Sequence, residues 1–259
     1  VTTGGSGAGV ANSGTSSVTI TGTTTQINAL LNTDGTSTVS YVDSVGGTKT
    51  LTLHIDDNGN TGGGNLPGQD TANIVLDNPP VVDLNGPGGG TGATLAYTEN
   101  AAATAIAPAG VTTDVDSADF NGGALRVAFS ANGAAEDQLS ILTDSTIVLN
   151  GSTVQYDADG AGGNPAVDIG TVSGGTNGTD LLISFNTANA TPSSVSALIE
   201  HIGYANNSDN PSTAARSVTF LVDDGDGASG SAVATVNITA VNDAPVATIT
   251  PTTYSATEQ

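Results

Sequence analysis

The sequence predicts an all-β protein built of tandem antiparallel β-sandwich repeats, each carrying one short helical turn. Three observations predict it. Apolar residues fall in short, nearly alternating runs at 18–20, 51–55, 73–76, 125–129, 147–149, 181–185, 218–222 and 232–238, each bounded by Gly, Asn, Asp or Pro. That is the pattern of half-buried strands joined by turns. Thr48-Lys49-Thr50-Leu51-Thr52-Leu53-His54-Ile55-Asp56-Asp57 also matches Ala215-Arg216-Ser217-Val218-Thr219-Phe220-Leu221-Val222-Asp223-Asp224 at an offset of 224 − 57 = 167 residues. Self-similarity on this scale marks a string of like domains. Finally, 37% of the residues are hydrophobic despite the abundant Gly, Ser, Thr and Asn, and their grouping favours folded β structure over a disordered tract.

Taken in order, the first element with helical character is at Ile27, Leu30 and Leu31. Its counterpart is clearer: Thr191-Pro192 supplies an N-cap and a proline at the first helical position, and Val195, Leu198 and Ile199 follow at helical spacing,. Prolines mark the boundaries. Asp77-Asn78-Pro79-Pro80 and Asn242-Asp243-Ala244-Pro245 lie 245 − 80 = 165 residues apart, each after one strand-like run and before another. Proline fixes φ and lacks an N–H, which suits a short stiff linker. The expected organisation is therefore 1–79 as the C-terminal part of a preceding repeat, 80–243 as one complete repeat, and 244–259 as the first strand of a following one.

Charge narrows the function. The 259 residues include 25 acids against Lys49, Arg126 and Arg216, for a formal charge of −22. So few cations argue against nucleic-acid binding, which needs Lys and Arg to neutralise phosphate, and against anionic membranes. No run approaches the ~18 apolar residues of a membrane span. With no Cys, disulfides and thiolate-zinc sites are excluded,. The absence of Met leads us to expect a mature product or an excised piece. Most acids must be solvated, spread apart or neutralised by bound cations.

At its linkers the chain resembles the cadherin-like repeats of very large bacterial surface adhesins and related giant extracellular proteins. The residues that carry this are Asn242-Asp243-Ala244-Pro245, Tyr97-Thr98-Glu99-Asn100, Asp114-Val115-Asp116-Ser117, Phe120-Asn121-Gly122-Gly123-Ala124-Leu125, Asn206-Asn207-Ser208-Asp209-Asn210-Pro211 and Val222-Asp223-Asp224-Gly225-Asp226-Gly227. The resemblance implies an immunoglobulin/cadherin-like topology, an extracellular, cell-surface or secreted location, and calcium at the domain junctions. In that family a Glu near a domain's start, a late Asp-x-Asp element and Asn/Asp linker residues converge on the same ions.

Calcium takes six to eight oxygens from carboxylates, amides, carbonyls and water. The candidate set at the first junction is Asp56, Asp57, Asp77, Asn78, Glu99, Asp114 and Asp116; at the second it is Asp223, Asp224, Asp226, Asn242, Asp243 and Glu258. The plainer account of these residues is that Asp-Gly and Asn-Asp are turn formers. No twelve-residue EF-hand fits: counted from Asp56, position 6 is Thr61 and position 12 is Pro67,.

Enzymatic readings are poor. His54 alternates with Leu53 and Ile55 on a strand and should face outward, and His201 closes the predicted helix, where a cation meets the helix dipole. Tyr97, Tyr156 and Tyr204 are expected to pack at sandwich corners. Arg216 and Lys49 hold equivalent strand positions and suggest one surface ion pair per repeat. The sequence thus points to a non-catalytic adhesive or structural stalk segment whose partners are neighbouring repeats of the same or an identical chain. Its alternatives are a glycan- or protein-binding module using loops such as 160–164 and 174–178, and a filament or surface-layer subunit that assembles by strand exchange.

Overall fold

A computed structural model of the chain describes residues 1, 3–33, 35–36, 41, 47–56, 67–161 and 166–245. It divides into two units, residues 1–45 and residues 46–259.

In the first unit, β1 (Gly9–Ala11) pairs antiparallel with β2 (Thr19–Thr21). Helix α1 (Thr24–Asn28) follows and runs on into a wider turn over Ala29–Thr33. Thr23 caps α1. Its hydroxyl accepts the N–H of Gln26, and the Gln26 side chain in turn accepts the N–H of Thr23. This reciprocal box satisfies two donors that a helix start leaves open. Leu30, one of the residues expected on the helical face, is buried.

The second unit opens with the hairpin β3 (Gly47–Ile55) and β4 (Gly68–Leu76). There follow β5 (Val81–Asp83), β6 (Thr94–Thr98), β7 (Thr104–Ala105), β8 (Val111–Thr113), β9 (Ala124–Ala131), β10 (Asp137–Ile141), β11 (Ile147–Asn150), β12 (Thr153–Tyr156), β13 (Val167–Gly174) and β14 (Leu181–Phe185). Helix α2 (Pro192–Glu200) leads to β15 (Ile202–Asn206), β16 (Arg216–Asp223) and β17 (Ser229–Thr239). The protein is thus predominantly β, as its alternating runs predict; seven of those runs lie within strands and the eighth, 18–20, overlaps β2. Among the described residues no helix is long and apolar enough to cross a membrane.

Eight strands form the main sheet in the order β11-β12-β13-β14-β9-β16-β17-β6. All its pairings are antiparallel except the last, in which β6 runs parallel to β17. A three-stranded sheet β10-β15-β7 and the pair β5-β8 complete the unit. Strict alternation places Val218, Phe220 and Val222 of β16 in one core with Leu125, Ile183, Val236 and Leu198. Each such side chain contributes roughly 1.5–3 kcal/mol by leaving water.

Helix α2 forms where Thr191-Pro192 predicts it. The Thr191 hydroxyl accepts the N–H of Ser194, and Val195, Leu198 and Ile199 are buried as their spacing requires. Ser196 ties the helix to β8: its hydroxyl donates to the Thr112 carbonyl at 3.2 Å and accepts the Thr112 N–H at 2.9 Å.

One expectation is corrected. Arg216 is not in a surface ion pair. It is 1% exposed, and its Nε donates to the Asp137 carboxylate at 3.1 Å. Asp137 also accepts the Tyr204 hydroxyl, the Asn206 amide at 2.7 Å and the Ala134 N–H at 2.8 Å. Arg216 donates further to the carbonyls of Ser212 and Ala214. A buried charge must be saturated in this way, because desolvation otherwise exceeds the ion-pair gain. Burial and the nearby Asp137 carboxylate push the Tyr204 hydroxyl well above the ordinary tyrosine range. Tyr97 meets Tyr204 edge-on with ring centres 5.0 Å apart, so these two tyrosines pack in the core. Tyr156 is half-buried.

Candidate functional site

The candidate ligands sort by pole rather than by distance along the chain. Strand β17 is eleven residues long and leads to residues 240–245. The turn that precedes it therefore lies at the opposite end of β17, where residues 77–80 pass beside Gly227 and Gly230. We call these ends the exit pole and the linker pole.

Three segments meet at the linker pole. After β8, Asp114-Val115-Asp116-Ser117 forms a tight turn in which one Asp114 oxygen accepts the N–H groups of Asp116 at 3.0 Å and Ser117 at 2.9 Å. Between β16 and β17, one Asp224 oxygen accepts the N–H groups of Asp226, Gly227 and Ala228 at 2.9–3.2 Å. Asp223 beside it accepts the Gly225 N–H. These are Asx turns, in which a short carboxylate replaces the next backbone carbonyl. Gly225 has φ +87°, and a Cβ there would fall 2.4 Å from the Asn121 carbonyl. Glycine is therefore required by both backbone conformation and space. The third segment is the linker: the Asn78 N–H donates to Asp116 at 3.2 Å. Ser117 joins two of the segments by donating to Asp226 at 3.3 Å.

Asp77, Asp114, Asp116, Asp224 and Asp226 are thus gathered at one end of the main sheet. Their mutual repulsion registers on Asp77. Burial first, then the charges of Asp224, Asp116, Asp226 and Asp114, raise its carboxyl above the ordinary value of 3.8. Four carboxylate oxygens, one each from Asp77, Asp114, Asp116 and Asp224, are buried without a hydrogen-bond partner, as is the Asn78 side-chain nitrogen. Arg126 and Arg216 are engaged elsewhere, with Asp180 and Asp137. The acids are gathered but not closed up: among the described residues no three His, Cys, Asp or Glu side chains stand as a ready metal-binding set.

Glu99 belongs to the exit pole, not with the first-junction residues. Because β6 runs parallel to β17, both end together, and the Glu99 N–H donates to the Thr239 carbonyl at 2.9 Å. One Glu99 oxygen accepts the Val241 N–H at 2.6 Å, while the other is buried without a partner. Asn242 and Asp243 follow directly and are exposed. Asp223, Asp224 and Asp226 conversely leave the second set for the linker pole. Asp56 is exposed at the end of β3. Asp57 and Glu258 lie outside the described residues.

The two histidines carry no such cluster. His54 is exposed on β3. His201 caps α2, with Nδ1 2.7 Å from the Ala197 carbonyl and Nε2 3.0 Å from Asp144. The loop 174–178 contributes Asn177 and Gly178 to an open groove of about 440 Å³, lined also by Phe129, Asn132 and Gly133; the loop 160–164 is only partly described.

Sequence reading passed over Asp137, the hub of the buried network. Its only signal was that Arg216 begins a strand whose alternation places it on the apolar face, so that a buried acid is required somewhere to meet it.

Compared with protein-family models and with curated proteins, the chain matches none.

Proposed function

We propose that the chain is a non-catalytic extracellular stalk or adhesive segment whose repeats are stiffened at their junctions by calcium. The observation that carries this is the linker pole. Five aspartates from three segments converge there, and four of their oxygens are buried and unpartnered. Buried polar atoms normally find a partner, and one bound cation would satisfy several carboxylates together. The donor chemistry fits calcium: hard oxygens in excess, with neither thiol nor imidazole at the pole. Asp77 and Asn78 would contribute from the linker, and Asp114, Asp116, Asp224 and Asp226 from the repeat. At the exit pole, Glu99 with Asn242 and Asp243 would supply one half of a similar set, facing whatever follows.

A bound divalent ion neutralises the carboxylates and ties the linker to both loops. Without it their repulsion opposes a closed junction. Sites of ~10⁻⁴–10⁻³ M are saturated only at the millimolar calcium of extracellular fluids, which accords with a cell-surface location.

The test is solution scattering and thermal unfolding of this chain across a calcium titration, with EDTA as reference. The reading expects a longer, stiffer particle and a higher melting temperature at millimolar calcium. Identical scattering and melting in calcium and in EDTA would sink it.

A further inference from the structure

Two loops hang from the buried Asp137. Residues 132–135 follow β9, and residues 175–180 join β13 to β14. The Ala134 N–H donates to the Asp137 carboxylate at 2.8 Å, and the Asp137 N–H donates back to the Ala134 carbonyl at 3.1 Å. From the second loop, the Gly178 N–H donates to the Asp137 carbonyl at 2.8 Å. The loops also meet each other. Gly178 has φ +72°, and a Cβ there would fall 2.4 Å from the Ala134 carbonyl. Further out, the Asn132 side-chain nitrogen donates to the Ala215 carbonyl at 2.8 Å, and the Asn177 N–H donates to the Gln138 side chain at 3.1 Å. The open groove of about 440 Å³ lies between these loops. That volume falls within the ~300–1,000 Å³ of small-molecule sites. Its walls are fastened to a buried ion pair, so the groove is formed before anything enters it, and pre-formed sites bind at lower cost.

The lining differs from the rest of the chain. The sequence holds 25 acids, yet among the described lining residues none is charged. Asn132 and Asn177 are both exposed, with left-handed φ of +58° and +55°. Glycine adopts that conformation more readily, so what asparagine adds at each position is an amide. The Asn132 nitrogen is engaged, which leaves its Oδ1 to accept. The Asn177 side chain makes no hydrogen bond among the described residues, so it offers both a donor and an acceptor,. Phe129 is half-buried in the groove and is steadied edge-on by Tyr204, with ring centres 6.2 Å apart.

We infer that this groove binds a short uncharged oligosaccharide. A sugar hydroxyl both donates and accepts, which matches the amides on the two walls, and the C–H groups of a sugar ring pack against an apolar surface such as Phe129. Sialylated, sulfated or phosphorylated ligands find no cation in the lining and meet a chain of charge −22,. Cationic ligands find no carboxylate in it. A peptide needs recesses for its alternate side chains, and Phe129 is the one large apolar side chain among the described lining residues.

The test is an amide NMR titration of the chain in EDTA with lactose, maltotriose and N,N′-diacetylchitobiose, with sialyllactose and an end-capped trialanine peptide as comparisons. At least one of the three neutral sugars should shift the signals of Gly133, Ala135 and Gly178 saturably. Asn177→Gly, which keeps the backbone conformation and removes the amide, should weaken that binding about tenfold, the equivalent of one lost hydrogen bond. Its melting temperature should stay at the parent value. Asn150→Gly, on the β11–β12 hairpin, should bind as the parent does. The inference is overturned if none of the three sugars moves these signals, if sialyllactose or the peptide binds there as tightly, or if Asn177→Gly leaves the affinity unchanged. Because no carboxylate lines the groove, binding in EDTA upholds this inference whatever becomes of the calcium reading.

Discussion

Arg216 and Asp137 stand 79 residues apart in sequence and form an ion pair in which neither side chain is more than 1% exposed. One begins β16 of the main sheet and the other begins β10 of the smaller sheet. Tyr204 and Asn206 of β15 bond the same carboxylate, so a single acid ties three strands together.

Removing one partner leaves the other charge buried. Asp137→Ala and Arg216→Ala should each cost about 3–5 kcal/mol, as uncompensated buried charges do. An exposed pair such as Arg126–Asp180 should cost ~0–1 kcal/mol. Chemical denaturation of the three variants checks this. A loss below about 1 kcal/mol for Asp137→Ala would show that the network is not structural.

Asp77 should behave as a strained acid. Its carboxyl is raised by burial and by four neighbouring aspartates. A raised acid stabilises the fold below its unfolded value of 3.8, and that contribution is lost as pH climbs through the raised value. Asp77→Asn should therefore raise the melting temperature in EDTA at pH 7 and reduce the gain produced by calcium. Melting curves of variant and parent, with and without calcium, read both effects. A lower melting temperature in EDTA would contradict the repulsion.

Asp144 has the opposite sign. The hydrogen bond from His201, followed by the N–H of Ile147, lowers its carboxyl from 3.8 to about 2. Its contribution is complete above 3.8 and disappears as pH falls through about 2,. His201→Ala should bring the Asp144 titration back toward 3.8 with only a small loss of stability at pH 7, because the acid is half exposed,. Carboxyl-carbon NMR titration measures it; an unmoved midpoint would remove His201 as the cause.

Thr191 caps α2, and Thr23 caps α1 at the equivalent position 191 − 23 = 168 residues earlier. Thr191→Ala should cost ~1 kcal/mol, the usual value of a lost N-cap. Thr191→Ser should be nearly neutral. Equal losses for both variants would place the effect in packing rather than in the cap.

What the sequence determined by itself was local. Alternation at 51–55, 125–129 and 218–222 specifies strands because side-chain period and pleat coincide. Thr191-Pro192 specifies the start of a helix through the donors it satisfies. Asp114-x-Asp116 and Asp224-Gly225-Asp226 specify Asx turns. Carboxylate-rich turn formers such as Asp114, Asp116, Asp224 and Asp226 stand out in a chain with three cations, though their grouping does not. Strands such as β13 and β15 were less legible, because Gly170 and Gly203 interrupt their apolar pattern where another chain segment approaches closely. Only the tertiary structure decided which acids share a pole. Asp224 precedes Asn242 by 18 residues, yet an eleven-residue strand carries them to opposite ends. Glu99 lies near Asp114 in sequence, yet parallel pairing of β6 with β17 sets it beside Val241. Likewise, strand alternation placed Arg216 on an inward face, but only the packing of β10 and β15 against β16 supplied Asp137 to neutralise it. Periodicity is a property of neighbouring residues. Convergence of charges is a property of strand direction and order, which the main sheet settles through contacts more than a hundred residues apart.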